Sequence, residues 1–199
     1  MNKSLSYEKK NCRLCNSSKL TKVLILEATP IGDAYQKKTR SYTDFFELSL
    51  NRCNKCSFVQ LSHIISPEAL YGKCIYYTSK SFGLPHHFKI LADSIINQKI
   101  ITKNSKILEI GCNDATLSNF LKSKGCKVLG VDPAHKSIKS INSDIDIIGK
   151  SFDHELSKQI LSKYDQFDLV VANNVIANID DLNDVFKGIE LLVKDDGFF

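Results

Sequence analysis

No run of apolar residues in the 199-residue chain approaches the length of about 18 that a membrane-spanning helix needs. The first eleven residues, mostly polar and rich in lysine, also lack the profile of a secretory leader. These two absences predict a soluble, cytoplasmic protein with no membrane partner. Without a leader, seven cysteines are not read as a disulfide framework, which leaves metal ligands or buried thiols. The turn in "EIGCNDAT", residues 109–116, has one glycine where the dinucleotide fingerprint has three, so a pyrophosphate cradle is not expected. Aromatic residues do not interleave with basic ones in the manner used to stack nucleic-acid bases.

Apolar residues make up 43% of the chain, enough for one ordinary core plus a small satellite module. The net charge of +5 is divided unevenly. Residues 1–103 carry 16 Lys and Arg against 7 Asp and Glu, whereas residues 104–199 carry 11 against 15. A basic front half attracts phosphates, whether of nucleic acid or of a nucleotide-linked small molecule; a lysine-rich solvated surface is the competing reading.

Four of the cysteines are paired, Cys12 with Cys15 in "CRLC" and Cys53 with Cys56 in "CNKC". Two residues between thiolates let a tight turn aim both sulfurs at one tetrahedral ion, and two such knuckles complete a closed structural zinc site. Four thiolates leave no position for water, which argues against a catalytic zinc; a redox dithiol is the competing reading. His63 offers a spare ligand, with a surface histidine as the alternative. The 37 residues between the pairs call for an inserted hairpin, for which "TKVLIL" and "YTDFFELSLNRC" supply candidate strands. Cys112 and Cys126 adjoin apolar strand residues and read as buried small hydrophobes, while Cys74 stays unassigned.

This organisation gives a four-cysteine zinc-binding domain over 1–68 and a connecting segment over 69–104. Pro67 with Glu68 starts a short helix; Ser81, Gly83 and Pro85 form a loop before a helix over roughly 85–102, with Phe88, Leu91, Ile95 and Ile96 on one face. From residue 105 the pattern becomes strand, helix, strand, helix. "KILEI", "KVLGV", "DIDII" and "FDLVVAN" are short apolar runs suited to a parallel sheet buried on both faces. "ATLSNFLKSKG" and "DLNDVFKGIELLVKDDG" carry helical spacing, each closing at a glycine. The fold class is therefore α/β, a doubly wound Rossmann-like domain over 105–199.

In such a sheet, ligands sit at the carboxyl ends of the strands. The first strand ends at Gly111, and the second ends at Asp132, 21 positions on, the spacing of a carboxylate that accepts ribose hydroxyls. A polar turn with Asn113 and Asp114 and without the extra glycines suits a ligand bearing an amino group and no phosphate. S-adenosylmethionine (SAM) meets that description, which turns the reading from dehydrogenase to methyltransferase.

On these residues, and on "ILEIGCNDATLSNFLKSKGCKVLGVDPA", "ANNVIANIDDL", "PIGDAY", "CNKCSFVQLSH" and "YYTSKSFGLPHHF", the chain resembles the zinc-containing class I SAM-dependent methyltransferases that C-methylate nucleotide-linked deoxysugars. The resemblance spans nearly the whole sequence. It implies that Gly111, Asn113 and Asp114 shape the turn around the methionine part of SAM and that Asp132, followed by Pro133, holds the ribose. It also implies that Phe152 covers the adenine, with a core position as the alternative, and that Asn173 and Asn174 line the site near the methyl donor. Tyr76 matches a tyrosine that reaches the family's active site, with packing as its competing role, and Ser79 and His87 match the same segment.

The sequence departs from the family at Ala115, where glycine is usual, at Cys74, where tyrosine is usual, and at Asn178, where histidine is usual. The resemblance further implies that the methyltransferase domain is incomplete here, ending two residues into its fifth strand. The missing half would carry the Tyr and His-Glu-His group that supplies the general base. The expected function is C-methylation of a nucleotide-linked keto-deoxysugar, with SAM as cofactor, structural zinc, and no nucleic-acid partner. The alternatives are an RNA-modifying methyltransferase, served by the basic front half, and a non-catalytic SAM- or partner-binding product.

Overall fold

The computed structural model describes residues 5–32, 44–71, 76–136 and 144–199. Cys74 and the second half of "PIGDAY" lie outside the described residues. The chain divides into two compact units, residues 1–74 and 75–199.

Among the described residues, the first unit is all β apart from one short helix. Strand β2 (Leu20–Thr29) pairs antiparallel with β3 (Phe46–Cys53), which pairs antiparallel with β4 (Val59–Leu61). A second ribbon joins β1 (Ser6–Glu8) to β5 (His63–Ile65), after which helix α1 runs over Pro67–Tyr71. The strands expected at "TKVLIL" and within "YTDFFELSLNRC" are β2 and β3. This sheet buries unusually polar side chains: Ser49, Asn51, Gln60 and Ser62 are buried, and the hydroxyls of Ser49 and Ser62 lie 2.5 Å apart. Val23, Leu24, Ile25 and Leu26 on β2 are exposed, Ile25 to 71%. Apolar burial alone is therefore a weak source of stability for this unit.

The second unit opens with a 3-10 turn over Thr78–Lys80 and helix α2 (Leu84–Asn97). A five-stranded sheet follows, built from β6 (Lys106–Ile110), β7 (Lys127–Val131), β8 (Asp146–Ile148), β9 (Phe167–Val171) and β10 (Val193–Phe198). Its order is β10-β9-β6-β7-β8 with every pairing parallel. Helices α3 (Thr116–Ser123), α4 (His154–Tyr164) and α5 (Leu182–Leu192) make the β6–β7, β8–β9 and β9–β10 crossovers. One core joins β6, β7 and β9 to α4 and α5 through Leu108, Ile110, Val170, Val185 and Leu192; the other joins the sheet to α2 and α3 through Ile107, Leu117, Leu121 and Ala92. Helices therefore cover both faces, as the continuous apolar strands require. Cys112 and Cys126 are buried, as their apolar settings suggested.

Two helix ends differ from the sequence expectation. Helix α2 stops at Asn97 rather than near 102. Lys99 turns left-handed (φ 56°), the Ile100 N–H bonds to the Ile95 carbonyl at 3.2 Å and the Lys99 N–H to Ile96 at 3.0 Å. This is a Schellman ending with lysine at the position glycine usually takes. Helix α5 ends at Leu192, and residues 193–198, expected to continue the helix to Gly197, form β10 instead. The Gln166 amide donates to the carbonyls of Leu191 (3.3 Å) and Val193 (3.2 Å), closing the helix end. Lys194 then pairs with Asp168 on β9 at 2.6 Å, which holds the chain extended against the sheet. Helix α3 does close at the expected glycine: Gly125 has φ 93°, and the Cys126 N–H reaches the Leu121 carbonyl.

Candidate functional site

The four paired cysteines converge. Their Sγ atoms all lie within 4.8 Å of one another, with Cys12–Cys56 and Cys15–Cys53 each at 3.6 Å. A tetrahedral ion with metal–sulfur bonds of about 2.3 Å sets sulfurs about 3.8 Å apart, so the cluster fits zinc. The two knuckles repeat one backbone plan. Asn16 and Ser57, each four residues after the first cysteine, take positive φ (56° and 65°) and donate to the carbonyls of Cys12 and Cys53 at 2.9 Å. Cys12 and Cys53 in turn donate to the carbonyls five residues on, at 2.9 and 2.8 Å. The buried Gln60 ties the first knuckle to β4, accepting from the Arg13 N–H at 2.8 Å and donating to the Asn11 carbonyl at 3.0 Å.

Hydrogen bonds from the backbone N–H groups of Cys56 and Lys55 pull the Cys53 thiol down to about 6. Against a backbone hydrogen bond from Phe58, lost hydration and the neighbouring sulfurs push Cys56 up to about 12.

The second unit gathers polar groups at the carboxyl ends of β6, β7 and β9, where strand order reverses about β6. Gly111 directly follows β6 with φ +73°, and a Cβ there would overlap the Val175 side chain that follows β9. The glycine thus lets two strand ends close on each other. G111A is expected to cost about 2 kcal/mol or more in urea unfolding, from left-handed strain plus the clash. G83A, also at positive φ (+80°) but in open space, should show the strain alone, near 1 kcal/mol. Equal losses would mean that the Val175 contact has no weight.

Past Gly111 the turn is pinned from several sides. The Asn113 N–H donates to Asp132 Oδ2 at 2.8 Å, and Asp132 Oδ1 accepts the Ala134 N–H at 2.7 Å, so the acid at the end of β7 braces both its own turn and that of β6. Pro133, exposed, opens the 3-10 turn that follows. The Asn113 side chain and Asp114 turn to the segment before α2. Asn113 Oδ1 accepts from the Thr78 N–H (3.0 Å) and hydroxyl (3.3 Å), its Nδ2 donates to the Tyr76 carbonyl (3.2 Å), and Asp114 Oδ2 accepts the Ser79 N–H (2.8 Å). Ala115, with φ 58° and fully buried, is the residue just before α3.

Of the residues singled out in the sequence, Tyr76, Ser79, Gly111, Asn113, Asp114, Asp132 and Pro133 come together here. Asn173 and Asn174 follow β9, adjoining Val175; the buried Asn173 Nδ2 has no partner among the described residues, a donor suited to a ligand. Asn178 donates back to the Asn174 carbonyl at 3.2 Å. Phe152 is buried in the core, its ring edge against Gly188 of α5. His87 is exposed on α2, its ring 5.6 Å from that of Phe88 and outside this set of hydrogen bonds.

Glu109 and Thr78 also belong to this region, though neither is among the residues singled out in the sequence. Glu109 is buried in β6, accepts from Ser118 of α3, and is pushed up to about 8 by burial and by the nearby charges of Asp132 and Asp114. An acid inside the apolar run "KILEI" was the available signal. Thr78 gave none, because its partner is 35 residues away.

Residues 12–71 match the family described as "Putative zinc binding domain", and residues 108–199 match the family described as "Methyltransferase domain". The C-methyltransferase NovU of Streptomyces niveus is 25% identical over 94% of this chain and 46% of its own length. The mitochondrial ubiquinone biosynthesis O-methyltransferase of Bos taurus is 31% identical over 46% of this chain and 26% of its own. The chain thus spans less than half the length of these relatives. A solved protein of Pyrococcus horikoshii OT3 aligns with 62% of this chain and 59% of its own at 23% identity and a TM-score of 0.47. No helix among the described residues is long and apolar enough to cross a membrane. The chain thus joins a four-cysteine cluster that matches the zinc-binding family to a following segment that matches the methyltransferase-domain family.

Proposed function

We propose that this protein takes part in the SAM-dependent methylation of a carbon on a small molecule, a nucleotide-linked keto-deoxysugar. The observation that carries the reading is the junction at Asn113, a residue of the Gly111 turn that is hydrogen-bonded to both the Asp132 carboxylate and the Tyr76 segment. NovU, similar over nearly all of this chain, carries the name of a C-methyltransferase.

In this reading the Gly111 turn lets the cofactor's methionine end approach the backbone, Asp132 takes the ribose hydroxyls, and the unpartnered Asn173 amide donates to the cofactor or substrate. SAM supplies an electrophilic methyl group. Methylation beside a ketone also requires removal of the adjacent proton and stabilisation of the resulting enolate. Tyr76, 42% exposed, offers a phenol that can donate a hydrogen bond to the substrate. The zinc site is closed by four sulfurs and contributes structure rather than chemistry.

The test reads binding rather than turnover. Titration calorimetry on the zinc-loaded chain should show saturable SAM binding, and D132A should weaken it by about tenfold or more. The absence of binding at millimolar SAM in a folded sample would remove this function. A salt-sensitive shift with RNA would instead favour an RNA substrate.

A further inference from the structure

Asn113 and Asp114 lie on the turn to which the cofactor is assigned, yet their side chains are spent elsewhere. Both lone pairs of Asn113 Oδ1 are taken by Thr78, and one of its two amide hydrogens is given to the Tyr76 carbonyl. Asp114 divides its oxygens between the Ser79 N–H and, at 2.5 Å, the Thr116 hydroxyl that opens α3. These bonds reach main-chain groups of residues 76, 78 and 79 and so hold the backbone of that segment while the Tyr76 ring stays exposed. Within the segment, Ser81 donates to the carbonyls of Thr78 and Tyr77, and the 3-10 turn is a single turn long. Thr78 is buried, 6% exposed, at the centre of the junction.

From this geometry we propose that Asn113 and Asp114 are positioning residues that couple the cofactor turn to the Tyr76 segment, so that occupancy of the turn fixes where the phenol is presented. The coupling rests on the SAM reading above. Because Asn113 also donates its N–H to Asp132, a ligand held by that carboxylate stiffens the residue that carries three of the four bonds to the segment. The assignment predicts a graded series. N113A removes all three side-chain bonds. N113D keeps the acceptor for Thr78 and loses the donor to Tyr76. D114N retains an acceptor for the Ser79 N–H that D114A lacks.

Amide hydrogen exchange on the full chain with zinc bound tests this residue by residue. Without SAM, the Thr78 amide should exchange about tenfold faster or more in N113A, and the Ser79 amide likewise in D114A, with D114N restoring protection. The amides of Ile107 and Leu108 in β6 should stay as slow as in the wild type, separating a local effect from unfolding. With SAM, wild-type Thr78, Ser79 and Ala134 should all slow; in N113A only Ala134, held by Asp132, should still slow. Unchanged exchange at Thr78 and Ser79 in the alanine variants would overturn the proposal, as would SAM slowing these amides equally in N113A. If SAM alters none of the three amides in the wild type while the unliganded variants behave as expected, the cofactor reading falls and the coupling with it, although the attachment of the segment stands.

Discussion

Removing zinc with a strong chelator under reducing conditions is expected to unfold residues 1–74 while leaving the second unit folded. The stake is on the order of 10 kcal/mol, the scale of structural zinc binding to a four-cysteine site. The magnitude follows from what else holds the unit together. Its three-stranded sheet has β2 on one edge with Val23 to Leu26 exposed, and its buried positions include Ser49, Asn51, Gln60 and Ser62. Ser49, Gln60 and Ser62 are hydrogen-bonded, but such bonds contribute only about 1 kcal/mol each over solvent, and the sheet has little apolar burial to rely on. The metal joins chain positions 12–15 to 53–56 and closes the hairpin between them. C53S should act like the chelator, because Cys53 is fully buried and anchors both the second knuckle and the end of β3. Amide exchange along the β2–β3 ladder measures the effect. Protection that survives chelation would show that zinc is dispensable to the fold.

The second large effect concerns pH. Glu109, buried between β6 and α3, has its folded-state value pushed up to about 8, first by loss of hydration and further by the charges of Asp132 and Asp114. For an acid raised in this way the neutral form is the one the fold accommodates. Its contribution is fully present below the ordinary glutamate range and is lost as pH rises toward 8, opposite to the usual salt-bridged carboxylate. E109Q keeps the shape without the charge. Its unfolding free energy relative to wild type should climb between pH 5 and pH 8 and level off above, by an amount on the order of 2–4 kcal/mol. Urea unfolding of both proteins at pH 5, 7 and 9 measures this; a difference that ignores pH would mean that Glu109 is solvated or paired in solution. A neutral Glu109 also keeps a third negative charge away from the strand end where Asp132 and Asp114 already lie.

The features legible in the sequence are those encoded within a few residues. The paired cysteines were readable as zinc ligands because a knuckle is one tight turn, and the structure repeats that turn at Asn16 and Ser57. The four apolar runs of the parallel sheet and the glycine ending of α3 were readable for the same reason, since a strand buried on both faces and a left-handed residue leave local marks. Helix α2 is shorter than its apolar spacing predicts because lysine, not glycine, takes the left-handed position at residue 99.

What only the tertiary structure decided depends on groups distant in the chain. Val193 begins a strand because Gln166 closes the helix before it and Asp168 holds Lys194 after it. Gln60 secures a knuckle 47 residues upstream, and Asn113 grips Thr78 across 35. Glu109 holds its proton because packing excludes water around it. Residue type and spacing carry the intrinsic preferences of the backbone, so they marked the four clustered cysteines, the strands of the parallel sheet and the polar turn after β6. Hydrogen-bond partners and desolvation exist only once the chain has closed on itself, so the roles of Asn113, Asp114 and Glu109 waited for the fold.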